Sequence, residues 1–330
     1  MNVASRVGAS VAALAAAAIV AGGPAAAEQQ PLSIVATVGM IADVAENVGG
    51  DCVAVTTLMG PGTDPHEYQP TAGDVRRLSE ADLILYGGYM LEEQMSEVLG
   101  RLGERRPALA LMEAATDPAE LIADEEEAAG IDMHLWMDAS LWSRLAPTFA
   151  EALAEFRPEC REQAERNAEA YVERLAALHG WVADAIATIP EAHRYLVTAH
   201  DAFAYYGDAY GIEVIAVQGI STMAEASVAD IRETVDAVVE TGVPAIFVET
   251  TINPRTVQAV AEAARQRGHA VEIGGALYSD ALGEAGSVAA TYVGMIFANT
   301  RTITEALGGD LPPLPAALAD WAEEWGLPSA

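Results

Sequence analysis

Residues 158–189 read PECREQAERNAEAYVERLAALHGWVADAIATI. After Pro158 the stretch contains no further proline and only one glycine, Gly180. It is rich in Ala, Glu, Arg and Leu, the side chains that lose least on entering a helix. Ala170, Tyr171, Leu175, Leu178 and Trp181 recur at helical spacing. A flexible linker would be rich in Gly, Ser or Pro instead. The spacing therefore predicts one long helix over 158–189, a strut that limits how far the parts on either side swing.

On both sides of the strut, short β-branched runs alternate with amphipathic ones. Upstream the runs are LSIVATV, CVAVTTLM, LILYGG and ALALM, and downstream they are YLVTAH, IEVIAVQ, AIFVET and AVEIGG. Helical stretches such as MIADVAENVGG, VADIRETVDAVVETG and PRTVQAVAEAARQRG separate them. This alternation indicates parallel βαβ units. The expected fold is α/β, with two parallel-sheet lobes, residues 28–157 and 190–330, joined by the connecting helix 158–189. A chain of 330 residues suits two domains, given the usual length of roughly 100–200 for one.

The start, MNVASRVGASVAALAAAAIVAGGPAAA, has one early charge at Arg6, a short apolar run and small residues before Glu28. It reads as a secretory signal peptide cut near Ala27, too short and Ala-rich for a membrane anchor. No cysteine follows the apolar run, so a free periplasmic protein is expected. The net charge of −32 makes nucleic acid and anionic lipid poor partners and attracts cations. Cys52 and Cys160 are the only cysteines. In an oxidising compartment they form either a disulfide or two separate buried thiols, and their separation excludes a CxxC zinc signature.

All six histidines lie beyond the leader. His66 stands in the stiff loop GPGTDPHEYQP after CVAVTTLM, His134 in GIDMHLWMD, and His200 at the end of YLVTAH. Asp280 follows AVEIGG in GGALYSDALG. Ligands of open α/β sheets bind beyond the carboxyl ends of the strands, so two facing lobes would aim these side chains into one cleft. Taken alone, each histidine reads as a surface or core residue. Three imidazoles and one carboxylate together make a suitable shell for a divalent transition metal. Glu249, closing AIFVET, is a candidate to orient a histidine, with Asp201 and Asp138 weaker candidates for that role. His179, His193 and His269 are expected to stand outside the site.

The blocks GPGTDPHEYQP, GIDMHLWMD, LVTAHDAFAYYG, GISTMAEAS, FVETTINPRTV and GGALYSDALGEAGSVAATYVGM together resemble the TroA-like metal receptors of ABC importers. The likeness runs from about Leu32 to Leu307. It implies two α/β lobes on one long helix with a single metal ion between them, held by His66, His134, His200 and Asp280. It also implies an extracytoplasmic receptor that delivers zinc or manganese to a membrane permease. In that family the third ligand, here His200, is a histidine in zinc receptors and in some that take both metals, and a glutamate in many manganese receptors. The long His-rich loop of many zinc receptors is missing, and only the acidic run at 124–127 stands in its place. Zn²⁺ and Mn²⁺ therefore both remain open as cargo.

The competing reading is a secreted mononuclear zinc hydrolase, with three protein ligands and an activated water. The sequence offers no HExxH helix, GxSxG elbow, glycine-rich phosphate loop or Cys-His pair to accompany a metal. No enzymatic activity is expected, and the receptor is expected to be monomeric.

Overall fold

The computed structural model describes residue 1 and residues 30–124 and 129–328. The expected leader and most of the acidic run at 124–127 lie outside the described residues. Pro31–Ala330 folds as one unit. Its first lobe is built on β1 (Leu32–Ala36), β2 (Val53–Thr57), β3 (Leu83–Tyr86) and β4 (Ala108–Ala110). These are parallel, in the order β2-β1-β3-β4. The inner strands, LSIVA and LILY, are almost wholly buried, as apolar strands of a parallel sheet covered on both faces must be. Around them lie α1 (Gly39–Gly49), α2 (Ala72–Glu80), α3 (Ser96–Gly103), α4 (Leu111–Ala115), α5 (Ala139–Trp142) and α6 (Leu145–Phe156).

The predicted strut is α7 (Arg161–Ala187), entered through a single 3₁₀ turn at Pro158–Cys160. At 1.5 Å per residue it is about 40 Å long. Its buried face carries Ala164, Ala168 and Tyr171 in the first half and Trp181, Val182 and Ile186 in the second. Trp181 stacks on Phe297 with ring centroids 5.2 Å apart, and its indole N–H donates to Pro312 O. At the other end the sulfurs of Cys52 and Cys160 are 2.05 Å apart in a disulfide, pinning the start of the strut to the first lobe.

The second lobe holds β5 (Tyr195–His200), α8 (Ala204–Tyr210), β6 (Glu213–Gln218), α9 (Val228–Thr241), β7 (Ala245–Glu249), α10 (Arg255–Gln266), β8 (Glu272–Leu277), α11 (Tyr292–Ala306) and α12 (Ala319–Glu324). Its parallel ladders pair β5 with β6 and β7 with β8. β5 and β7 are neighbours, yet among the described residues no ladder joins them. At their ends the Glu249 carboxylate of β7 accepts the amides of Ala199 and His200 on β5, at 2.7 and 3.0 Å. A side chain takes the donors that a ladder would use. On β8, Gly275 has φ +148°, and a Cβ there would lie 2.5 Å from Thr302 Cγ2, so glycine lets α11 approach the strand.

The lobes also meet directly. Asp43 on α1 is 6% exposed and accepts the Tyr171 hydroxyl of α7 at 2.7 Å and the Tyr292 amide of α11 at 3.0 Å. Tyr292 stacks on Trp142 and donates its hydroxyl to Trp136 O, while Trp136 donates its indole N–H to Ser279 O. The apolar core runs through both lobes and the strut as a single cluster.

Candidate metal centre

Three of the four predicted side chains sit in loops or turns beyond strands, and the fourth ends one. β2 ends at Thr57, and the loop 60–70 that follows carries His66. The loop is built from turns at 61–62 and 65–67, and Pro65 steers the preceding Asp64 away from helical geometry. His134 follows the antiparallel bridge Ala123–Ile131. His200 is the last residue of β5, and Asp280 lies three residues beyond β8.

The loops bring the four together. One ligand-type atom from each of His66, His134, His200 and Asp280 lies within 4.8 Å of the others, and all four residues are buried. The imidazole centroids are 5.5 Å apart for His66 and His134, 5.4 Å for His134 and His200, and 6.3 Å for His66 and His200. Asp280 reaches between them, with Oδ1 3.5 Å from His134 Nε2 and Oδ2 3.2 Å from His200 Nε2.

Two of the imidazoles are held from behind by carboxylates. His200 Nδ1 donates to Glu249 Oε2 at 2.5 Å, and His134 Nδ1 donates to Asp132 Oδ1 at 2.7 Å. Fixing the proton on Nδ1 leaves the Nε2 lone pair directed at the centre. His66 has no such partner on either ring nitrogen, and its orientation comes from the proline loop and from its amide, which donates to Asp64 Oδ1 at 2.8 Å. As a result His66 Nδ1 and Nε2, His134 Nε2, His200 Nε2 and Asp280 Oδ1 are all buried without a hydrogen-bond partner. Such atoms are costly to bury unless something binds them.

The local electrostatics suit a cation. Burial pushes His66 down to about 3, so its imidazole is neutral near pH 7 with a free lone pair. Burial would raise Asp280, but the charge of His200, supported by His134 and His66, holds the carboxyl well below the usual range. Burial likewise opposes a charge on His200, and the Glu249 and Asp280 carboxylates on either side outweigh it and raise the imidazole well above its ordinary value, so a cation that takes the Nε2 lone pair displaces a proton from it.

Of the remaining candidates, Glu249 lies behind His200, bonded to its Nδ1. Asp138 does not reach His134. It accepts the Ser140 amide as the N-cap of α5 and lies 3.2 Å from His179 Nδ1. Asp201 carries no bond to a site imidazole, and its carboxyl is raised by burial and by the nearby charge of Asp132. His193 contacts Leu307 O and His269 contacts Val243 O, both away from the cluster. Asp132 and Asp64 were missed, although both stand two residues before a site histidine in an Asp-x-His pattern. Each folds back to accept that histidine's amide, the short-range bond an aspartate makes readily.

The chain is similar to known proteins in both sequence and fold. The family model described as zinc-uptake complex component A, periplasmic, matches residues 34–306. The manganese-binding lipoprotein MntA of Bacillus subtilis (strain 168) is 42% identical over 278 residues, covering 84% of this chain and 90% of its own. The zinc-binding protein TroA of Treponema pallidum (strain Nichols) is 43% identical over 283 residues, covering 86% and 91%. The solved structure of the periplasmic zinc-binding protein TroA from Treponema pallidum superimposes with a TM-score of 0.81 at 42% identity, covering 84% of this chain and 99% of that one. Relatives at 29% identity are named as ABC transporter substrate-binding lipoproteins, and the likeness gives the hydrolase reading no support. With the match spanning both lobes and the strut, the chain belongs to the periplasmic zinc-uptake component A family, the metal-binding receptors of ABC importers.

Proposed function

We propose that this chain captures one Zn²⁺ or Mn²⁺ outside the cytoplasmic membrane, through His66, His134, His200 and Asp280, and passes it to the permease of an ABC importer. The observation that carries the reading is the set of four ligand-type atoms, one from each buried residue, within 4.8 Å of one another, in a cluster where ring nitrogens of all three histidines and Asp280 Oδ1 have no hydrogen-bond partner. Three imidazole nitrogens and a carboxylate complete a four-coordinate shell from protein atoms, which suits storage and delivery better than a reaction needing an open position. Nitrogen-rich shells favour Zn²⁺ over Mn²⁺ in simple affinity. Relatives named for each metal are nearly equally similar, which keeps both as cargo. Glu249 and Asp132 act behind the ligands, fixing the His200 and His134 rings.

The same reading places the protein in the periplasm after cleavage near Ala27, as a monomer whose lobes divide at 157/158 and 189/190. The test is metal retention. Wild-type protein, loaded and dialysed, should retain one equivalent of Zn²⁺ or Mn²⁺, and His66→Ala should retain none at the same concentration while keeping its circular dichroism. A His66→Ala protein that holds a full equivalent as tightly as wild type would refute the ligand assignment. Competition between the two ions in the wild-type protein then identifies the preferred cargo.

A further inference from the structure

An ion among these four residues has no open route to solvent, because His134 and His200 are 0% exposed and His66 and Asp280 are 1%. Some part of the surface must move before the ion leaves. A depression of about 310 Å³ is lined by residues in contact with three of the four. It is lined by Asp64, which accepts the His66 amide, by Gln218, the ladder partner of His200, and by Thr251, whose hydroxyl is 3.5 Å from Asp280 Oδ2. Glu67 and Glu225 add negative charge to its lining, which favours the approach of a cation.

The loop 219–227 between β6 and α9 borders this depression from the second lobe and fastens to the first. Thr222 donates its hydroxyl to Asp64 Oδ2 at 2.6 Å, and Ser221 and Met223 make longer contacts with Glu93 and Gln94. Thr222 is 6% exposed, whereas Met223, Ala224 and Glu225 beside it are exposed. In this loop Ile220 and Thr222 are both buried, and Thr222 commits its only side-chain donor to a carboxylate of the opposite lobe. That carboxylate uses its other oxygen on the backbone of His66. One aspartate thus ties the loop of one lobe to a site residue of the other.

We infer that Thr222 is a positioning residue that acts as the release catch of the site: its bond to Asp64 holds the 219–227 loop across the mouth, and cation exit waits for that bond to break. This rests on the proposed role of the four residues as the metal site. Thr222 touches no ion in this scheme, so its loss changes the rate of exit and leaves the stoichiometry intact. A hydrogen bond to a charged group, when lost only on opening, corresponds to about tenfold or more in that rate.

The experiment loads wild type, Thr222→Val, Thr222→Ala and Thr222→Ser with Zn²⁺, mixes each with excess chelator and follows ion release by stopped flow, with uptake measured separately. The two variants without a hydroxyl should bind one equivalent, release it at least about tenfold faster than wild type and take it up within about threefold of the wild-type rate. Thr222→Ser, which keeps the donor, should release it within about threefold of wild type. A purely structural threonine would lower the melting temperature without separating release from uptake. If either folded hydroxyl-free variant binds one equivalent and releases it at the wild-type rate, the catch is overturned and the metal site stands. Wild-type protein that takes up no ion at all would overturn the site reading, and the catch with it.

Discussion

The four side chains that converge could be singled out in the sequence through the resemblance to the TroA-like receptors, since each histidine taken alone reads as a surface or core residue. Their supports were only partly legible. Glu249 could be guessed from its place at the end of β7. Asp132 is also visible in the Asp-x-His spacing it shares with Asp64, but nothing local says that one of the two reaches its histidine's ring while the other crosses to Thr222. That difference depends on which loops meet in the folded chain. The role assigned to Glu249 predicts that Glu249→Gln, which keeps shape and loses charge, weakens metal affinity about 10–100-fold with little change in fold. Titration calorimetry with Zn²⁺ or Mn²⁺ checks this, and unchanged affinity would show that the His200 ring needs no carboxylate behind it.

Among the elements of the described residues, the eight strands could be read from short apolar runs, most of them β-branched, and α7 from its composition. The break between β5 and β7 could not be read, since it depends on a glutamate folding back onto the neighbouring strand's amides. Helix caps are local and therefore legible. α2 begins with a reciprocal cap, in which the Thr71 hydroxyl accepts the Asp74 amide while the Asp74 carboxylate accepts from Thr71. Burial would raise the Asp74 carboxyl, but the amide and hydroxyl of Thr71, the Tyr68 hydroxyl and Arg77 together bring it down to about 2. A carboxyl whose folded value lies below its unfolded one stabilises the fold above the unfolded value, 3.8, and loses that contribution as the pH falls through about 2. Asp74→Asn should therefore cost about 1–2 kcal/mol at pH 7, with the gap from wild type narrowing between pH 4 and pH 2.5. Denaturant midpoints across that range provide the check, and a gap independent of pH would mean the charge of Asp74 is not what the cap uses.

Across the whole molecule, metal capture depends on two lobes held close enough for residues from each to share one ion. The strut, the disulfide and the Asp43 joint all act against wide separation. Asp43→Ala would leave the Tyr171 hydroxyl and the Tyr292 amide buried without a partner, at a cost of about 2–4 kcal/mol. It should lower the urea midpoint and speed amide exchange at the start of α11, and a variant with wild-type stability would remove Asp43 from the account. The central claim, that one cation sits between the lobes on His66, His134, His200 and Asp280, is tested most directly by diffraction at the zinc or manganese absorption edge from crystals of the loaded protein. The account predicts a single anomalous peak between the lobes, bonded to a nitrogen of each histidine and to the Asp280 carboxylate at roughly 2.0–2.2 Å. A loaded protein whose only peak lies away from these four residues would contradict it.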